Sequence, residues 1–363
     1  MESEDSKPIV TVLVVDDSRA EQLLLTHILN SDPRIRVVGT ADNGREAIDF
    51  LKHTKPHVIT MDLNMPEMDG LSATKEIMAV DPVPIIIVTM DRSWTTAAHA
   101  LTMMEAGAVA IVEKPFTAEE ARQEEATKHL LRVVKNLSQV KLVHRVSYQQ
   151  GSQQYPRSAG PKATHSLQLV EKGRKPIRAI AIGASTGGPP LLKALVDQFP
   201  EVLPVPVFIT QHMSPGFTEG FSHWLRRDLK HPLIIPKHGE VYRPGCIYLA
   251  PCQQAMGVEG NGHIILSPKT QGAFGFHSVS FLFKCFAREF GSESLAILLT
   301  GMGTDGAREL KELRTLGAIT VAQDEQSSVV HGMPGEAIRL NGATHIMSPE
   351  QIARLINQAC SAV

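Results

Sequence analysis

Short apolar runs alternate with longer amphipathic segments along the first third of the chain. The five runs are IVTVLVV, RVVG, HVITM, PIIIVT and AVAIV, which are rich in valine and isoleucine. Runs that are apolar on both faces are typical of strands in a parallel sheet covered by helices. The segments between them, such as SRAEQLLLTHILN, carry apolar residues at helical spacing. The pattern predicts a five-stranded, doubly wound α/β domain over residues 9–130.

The next part of the chain is polar. One long helix is predicted over residues 118–146, and the stretch SYQQGSQQYPRSAGPKATHSLQ follows it. Glutamine and serine dominate this stretch, and glycine and proline interrupt it, which is the composition of a linker. We therefore predict that residues 131–176 form a helix extension and a linker.

A second series of strands and helices occupies residues 177–363. Its predicted strands are IRAIAI, VPVFIT, LAILLT, AITVA and ATHIM. A hairpin is predicted where GEVYRPGCIYLAP and GHIILS interrupt the series. The prediction is a second doubly wound, mostly parallel α/β domain that carries a β-hairpin.

Composition narrows the class of protein. The 363 residues are 43% hydrophobic and 20% charged with a net charge of −2, so no basic field attracts nucleic acid or anionic membrane. No basic recognition helix is evident, and no apolar run approaches the roughly 20 residues of a membrane span. The N-terminal MESEDSKP is not a signal-peptide pattern, and the four cysteines form no C-x-x-C pair. We expect a cytoplasmic protein without direct membrane insertion.

Polar side chains stand at the ends of the first set of strands. Asp16 and Asp17 follow the first strand, Asp62 follows the third, Thr89 ends the fourth and Lys114 follows the fifth. Ligands of parallel sheets bind at this edge. Clustered carboxylates favour Mg²⁺, and a carboxylate beside Mg²⁺ can attack an activated phosphoryl group. The alternative makes the aspartates helix caps and Lys114 a surface charge.

The second domain has its own cluster of strand-end residues. GASTGG contains Gly-x-Ser-x-Gly, which exposes Ser185 on a turn between a strand and a helix. His212 closes the next strand, and Asp305 follows the strand SLAILLT. A serine needs a base, and that base needs an orienting acid, so these three residues predict a nucleophilic site.

Three other interpretations compete for the same segments. Ser185 can be the cap of the next helix, or GASTGG can bind phosphate through backbone N–H groups. No lysine follows its glycines, which argues against a nucleotide P-loop. The third interpretation is a dinucleotide site in which Gly301-x-Gly303-x-x-Gly306 is followed by Asp324. Against it, the motif falls late in the domain and leaves Ser185 without a role.

The motifs VLVVDDS, ITMDLNMPEMDG and VEKPF, with the VT that ends at Thr89, resemble the receiver domain of two-component response regulators. The resemblance covers residues 9–130 and implies a flavodoxin-like fold with Asp62 as the phospho-acceptor. It also implies that Thr89 and Lys114 contact the phosphate. The implied Mg²⁺ ligands are Asp16, Asp17, Asp62 and the backbone carbonyl of Asn64. Ile111 stands where receivers usually have an aromatic residue, so the switch is expected to be transmitted differently.

IGASTGGP, ITQHMSPGFT, LTGMGTDGA and VVHGMPGEA resemble the catalytic domain of the chemotaxis methylesterases, the CheB family. The resemblance implies hydrolysis of glutamate γ-methyl esters, and deamidation of glutamines, on chemoreceptors. It implies Ser185 as nucleophile, His212 as general base and then acid, and Asp305 as its orienter. The N–H of Met302 is the expected oxyanion-hole donor. No cofactor is expected in this domain.

The same resemblance implies partners and regulation. A chemoreceptor is the expected substrate, and a CheA-type histidine kinase is the expected phosphodonor. The receiver is expected to cover the active site until Asp62 is phosphorylated. TQGAFGFHSVSF and APCQQAM depart from the family pattern, which leaves the identity of the receptor open. A receiver protein whose C-terminal domain binds receptors without hydrolysis is the alternative.

Overall fold

The structure is a computed structural model. It describes residues 8–90, 94–116, 120–138, 175–213, 216–260, 262–268, 271–272, 275–276 and 278–363. The predicted linker and the predicted helix beyond residue 138 lie outside the described residues.

The N-terminal region alternates strands and helices as predicted. Its elements are β1 (Val10–Val15), α1 (Arg19–Asn30), β2 (Ile35–Ala41), α2 (Gly44–Leu51), β3 (Val58–Met61), α3 (Gly70–Val80), β4 (Ile85–Thr89), α4 (Trp94–Glu105), β5 (Ala110–Glu113) and α5 (Glu120–Leu137).

The five strands form one parallel sheet in the order β2-β1-β3-β4-β5. Strands β3 and β4 are buried along their whole length, as their apolar sequences predict. Side-chain caps begin three of the helices: Ser18 accepts from Glu21 N, Asn43 from Glu46 N, and Asp69 from Ser72 N. Because Ser18 caps α1, the cap interpretation of Asp16 and Asp17 is wrong.

The C-terminal region is larger. Its elements are β6 (Ala179–Ala184), α6 (Gly188–Val196), β7 (Val207–Gln211), α7 (Thr218–Leu225), β8 (Leu233–Ile234), β9 (Ile247–Leu249), β10 (Gln254–Glu259), β11 (His263–Pro268), β12 (Gln271–Gly272), β13 (Gly275–Phe276), α8 (Ser278–Glu289), β14 (Ser294–Leu298), α9 (Ala307–Thr315), β15 (Ile319–Gln323), α10 (Met333–Arg339), β16 (His345–Met347) and α11 (Pro349–Ser361).

Seven of these strands form a parallel sheet in the order β16-β15-β14-β6-β7-β9-β8. Strand β6 is fully buried and lies between β14 and β7. The carboxyl ends of β14, β6 and β7 are therefore neighbours on one edge. Separate apolar clusters cover the two faces of the sheet, as the prediction of a doubly wound domain requires.

The hairpin prediction is partly wrong. GHIILS pairs antiparallel as predicted, and Val241 of the predicted segment forms a bridge with His263, but the main partner of GHIILS is β10, which follows that segment. Ile247–Leu249, predicted as one arm of the hairpin, joins the main sheet beside β7 instead. All three of its side chains are buried. The main sheet therefore removes more apolar surface of this strand from water than an exposed hairpin would.

Helix α5 extends past residue 130, the predicted end of the first domain. Its residues Leu130, Val133, Val134 and Leu137 are buried in the same apolar cluster as Val12. The packing of the first domain therefore continues to the end of this helix.

Helices of the two regions contact each other. Helix α4 packs on α7 and α6, and Leu101 of α4 is buried in a cluster of C-terminal residues. Within the residues described, no helix is long and apolar enough to span a membrane.

Candidate functional site

The strand ends of the N-terminal sheet bring charged side chains together around Lys114. Its Nζ lies 2.6 Å from Asp16 Oδ2 and 2.8 Å from Asp62 Oδ1, and it also contacts the carboxylate of Glu21. Lys114 and Asp16 are buried. The backbone N–H of Lys114 donates to Thr89 O, which ties the ends of β5 and β4 together.

The other predicted residues lie on the same edge. Asp17 is exposed at the end of β1, and Thr89 is buried at the end of β4. The backbone N–H of Asn64 donates to Asp62 Oδ2 over 3.1 Å. The sequence argument missed Glu21. Its signal is its position in the first turn of α1, which directly follows the strand end with Asp16.

The electrostatics of this cluster are those of an acidic pocket with one cation. Burial raises the pKa of Asp62, and the Asp16 carboxylate adds to the rise although Lys114 opposes it. The pKa of Lys114 is raised by hydrogen bonds to Asp16, Asp62 and Glu21, which outweigh its burial. The ammonium therefore stays charged and compensates the carboxylates.

The donor set of this pocket suits Mg²⁺. Every candidate ligand is an oxygen, and the buried Asp16 Oδ2 already lies 2.6 Å from a cationic group, the Lys114 ammonium. Within the described residues, no three acidic, histidine or cysteine side chains are already grouped around a metal position. The Lys114 ammonium contacts Asp16, Glu21 and Asp62, so a cation would compete with it for their oxygens.

The second candidate site lies at the carboxyl ends of β6 and β7 and in the loop after β14. Ser185 follows β6 and is buried, with its N–H donating to Thr300 O. Gly187 has φ +78° and is the N-cap of α6 without a side-chain cap. The interpretation of Ser185 as the helix cap is therefore wrong.

His212 and Asp305 are brought into direct contact. His212 Nε2 lies 2.8 Å from Asp305 Oδ2. Asp305 Oδ2 also accepts from Val279 N, and Oδ1 accepts from Ser280 N, both over 2.9 Å. Burial alone would raise the pKa of Asp305, but the hydrogen bonds from His212 and from the start of α8 lower it. The carboxylate is thus held in its charged form beside the imidazole.

Ser185 lies on the same edge, next to Gly301. A methyl group on Gly301 would lie 2.7 Å from Ser185 Cβ and 2.4 Å from Met333 Sδ, so only glycine fits. In the described part of the chain, no hydrogen bond joins the Ser185 hydroxyl to His212. Catalytic hydrogen bonds are often incomplete before a substrate binds.

Met302 follows Gly301 and is half-buried. Gly301 N donates to Val330 O, whereas Met302 N donates to no backbone carbonyl among the residues described. This N–H is therefore available for an oxygen that arrives beside Ser185.

Gln211 is a residue that the sequence argument missed. Its Nε2 donates to Ser185 O over 2.8 Å and to His212 O over 2.9 Å. One buried side chain therefore links the turn after β6 with the turn after β7. The position just before His212 at a buried strand end was the available signal.

The dinucleotide interpretation meets a steric obstacle. A pyrophosphate needs open space over the glycines, but Ser185 and Met333 fill the space at Gly301. Asp324 Oδ1 accepts from the N–H and hydroxyl of Ser327, which occupies the carboxylate expected to bind ribose.

The N-terminal and C-terminal regions each match the model of a known protein family. The family model described as CheB methylesterase matches residues 180–356, and that of the response regulator receiver domain matches residues 12–124. A protein of Nitrosospira multiformis is 43% identical over 346 residues, which are 95% of each chain. One from Syntrophus aciditrophicus is 42% identical over 356 residues, 98% of this chain and 99% of the relative. Both are called protein-glutamate methylesterase/protein-glutamine glutaminase.

Two solved structures resemble the separate regions. The catalytic domain of Thermotoga maritima CheB methylesterase is 28% identical and covers 52% of this chain and 99% of its own, with a TM-score of 0.48. The response regulator domain of Thermotoga maritima CheB is 34% identical and covers 37% of this chain and 99% of its own, with a TM-score of 0.34.

Replacing Lys114 tests the acidic cluster without an activity assay. In Lys114→Met the carboxylates lose their cation, and removing one partner of a buried ion pair costs about 3–5 kcal/mol. We expect a lower urea-unfolding midpoint at pH 7. Because a carboxyl with a raised pKa binds protons more tightly in the folded state, lowering the pH to 5 should restore part of the loss.

Mg²⁺ should also raise the midpoint of Lys114→Met, and by more than it raises that of the wild type. Lys52→Met, which removes an exposed ion pair with Asp49, is the control and should shift the midpoint little. Absence of a Mg²⁺ effect on Lys114→Met would contradict a cation site at these carboxylates.

Proposed function

The chain belongs to the CheB methylesterase family, and we propose that it hydrolyses glutamate γ-methyl esters on chemoreceptors and deamidates receptor glutamines. The observation that carries this proposal is the 2.8 Å contact between His212 Nε2 and Asp305 Oδ2, on the strand edge that also ends in Ser185. The names of the relatives support both activities.

The chemistry follows from these three residues. His212 Nε2 is engaged by Asp305, which leaves Nδ1 to take the proton of the Ser185 hydroxyl. The serine oxygen then attacks the ester carbonyl carbon. The tetrahedral intermediate collapses as His212 returns the proton to the methoxy group, and methanol leaves. Water, deprotonated by His212, next cleaves the acyl-serine and regenerates the serine and the receptor carboxylate. With a glutamine, ammonia leaves in place of methanol.

Two features lower the barrier to this reaction. The charged Asp305 stabilises the imidazolium that forms when His212 accepts the proton, and it orients the ring. The N–H of Met302 is proposed to donate to the oxyanion, and a donor of this kind contributes about 10²–10³ in rate. The position of Gly301 against Ser185 supports this role, because it brings the next peptide beside the nucleophile.

The N-terminal domain is proposed to regulate the enzyme by phosphorylation of Asp62. A CheA-type histidine kinase would supply the phosphoryl group, and Thr89 and Lys114 would contact its oxygens. Mg²⁺ held by Asp16, Asp17, Asp62 and the backbone carbonyl of Asn64 would supply positive charge at that oxygen cluster when bound. Lys114 already contacts Asp62, so its ammonium needs only a small shift to contact a phosphate built on that side chain.

Contacts between the two regions support regulation by occlusion. Met302, Val329 and Val330 pack against the apolar cluster of α5, and Asn136 of α5 contacts the Met302 sulfur. Met213, which follows His212, packs with Phe217 against the N-terminal core. The receiver thus contacts residues on several sides of the candidate site. We propose that phosphorylation loosens this contact.

One receiver residue extends the same contact. Ile111 is half-buried and packs against apolar clusters of both regions, which suits a switch transmitted without the usual aromatic residue. Burial, with the charge of Arg132, lowers the pKa of His129 on α5 to about 4.

We propose three segments: a receiver over residues 9–130 that continues to the end of α5, a connection up to residue 176, and a methylesterase domain over residues 177–363. A cytoplasmic location is proposed as well, because the four cysteines are all free and buried.

Methanol release from a methylated chemoreceptor fragment tests the function. The wild type should release methanol faster when acetyl phosphate and Mg²⁺ are present. Ser185→Ala should lose about 10³-fold or more, since it removes the nucleophile. Asp62→Asn should keep the basal rate and lose the response to acetyl phosphate. Full methanol release by Ser185→Ala would instead support a C-terminal domain that only binds receptors.

Occlusion is tested at Glu105 of α4, which accepts from Trp224 Nε1 and Arg227 Nη2 across the interface, both over 3.0 Å. Glu105→Ala removes both hydrogen bonds and should raise basal methanol release at least about threefold. Activity with acetyl phosphate should change little. Glu76→Ala, which removes an ion pair with Arg45 inside the receiver, is the control. An unchanged basal rate in Glu105→Ala would argue against occlusion.

A further inference from the structure

The acid of the candidate triad is held by a helix that the sequence argument did not connect with it. Asp305 accepts one backbone N–H from Val279 and one from Ser280, in the first turn of α8. This turn lies about 25 residues before Asp305 in the sequence and on a different element. The position of the carboxylate therefore depends on how α8 is fixed against the loop after β14.

The Ser280 side chain makes that connection. Its Oγ accepts from Gly306 N over 2.9 Å, which fixes the backbone on the far side of Asp305. The backbone N–H of the same residue donates to Asp305 Oδ1 over 2.9 Å. Ser280 therefore holds the carboxylate through its N–H and the Gly306 peptide through its hydroxyl oxygen.

Gly306 makes this geometry possible. Its φ of +82° is in the left-handed region, and a methyl group there would lie 2.5 Å from Val279 Cγ1. The loop and the first turn of α8 therefore approach each other closely, with the Ser280 hydroxyl in the space between them.

Ser278, two residues earlier in the same turn, provides a contrast. It is fully buried, but its hydroxyl has no hydrogen-bond partner in the described part of the chain. Both serines lie in one helix turn, and among the described residues the hydroxyl of Ser280 has a hydrogen-bond partner whereas that of Ser278 has none.

We propose that Ser280 is a positioning residue for ester hydrolysis, which holds Asp305 in the orientation that His212 requires by bridging Asp305 and Gly306. The inference rests on the proposed function. The hydrogen bonds of Ser280 go to Asp305 and Gly306, and none joins it to Ser185 or His212 within the described residues, so we expect its effect in the chemical step and not in substrate binding.

The test compares full-length variants in the presence of acetyl phosphate and Mg²⁺, with a methylated chemoreceptor fragment as substrate. Ser280→Ala should lower kcat about three- to tenfold, the effect of losing the neutral hydrogen bond from Gly306 N, with KM within about twofold of the wild type. Ser280→Thr keeps the hydroxyl and should recover most of the rate. Ser278→Ala is the matched control and should retain wild-type kcat.

A second readout is independent of turnover. The downfield proton resonance of the His212–Asp305 hydrogen bond should broaden or move in Ser280→Ala and remain unchanged in Ser278→Ala. The proposal is overturned if Ser280→Ala keeps wild-type kcat and an unchanged resonance, or if Ser278→Ala loses as much rate.

Ser185→Ala separates the role of Ser280 from the proposed function. If Ser185→Ala is inactive while Ser280→Ala is normal, only the role of Ser280 fails. If Ser185→Ala stays active, the proposed function itself fails.

Discussion

The hydrogen bond between His212 and Asp305 is the interaction around which the catalytic region is organised. A buried carboxylate is costly unless it is hydrogen-bonded, and Asp305 recovers that cost from His212 and from two N–H groups at the start of α8. The partners come from the end of β7 and from α8, and Asp305 itself lies in the loop after β14. The bond therefore forms only when the centre of the seven-stranded sheet and the helix that covers it are both in place.

The strand edge that carries the candidate catalytic residues also contacts the receiver. The side chain of Met302 faces α5, while its backbone is the candidate oxyanion donor. Met213 adjoins His212 and packs against the receiver core. In the proposed mechanism, a shift of the receiver would act on the peptides that flank the reacting groups as well as on access to them. No pathway other than the receiver itself would then be needed between the proposed phosphorylation site and the proposed catalytic site.

The sequence predicted the strand ends well because parallel strands buried on both faces have a distinct apolar pattern. Each such run ends where polar residues begin, so Asp16, Asp62, Ser185 and His212 could be assigned to one edge of their sheets. The family motifs added roles for these residues and have matches over nearly the whole chain. What the sequence missed depends on contacts between distant elements. The contact of Glu21 with Lys114 and the contact of the first turn of α8 with Asp305 join residues far apart in the sequence, so no local motif predicts either contact. Strand β9 was wrongly assigned to the hairpin because its apolar run of three residues is equally compatible with a hairpin arm and with a strand inside the main sheet.

The central claim is that Asp305 and His212 make Ser185 a nucleophile. Peptide mapping after treatment of the full chain with a fluorophosphonate, with acetyl phosphate and Mg²⁺ present, tests it most directly. The account predicts one covalent adduct, on Ser185, that forms at least about 10²-fold more slowly in His212→Ala and in Asp305→Ala. An adduct on another residue, or equal labelling of Ser185 in all three proteins, would contradict it.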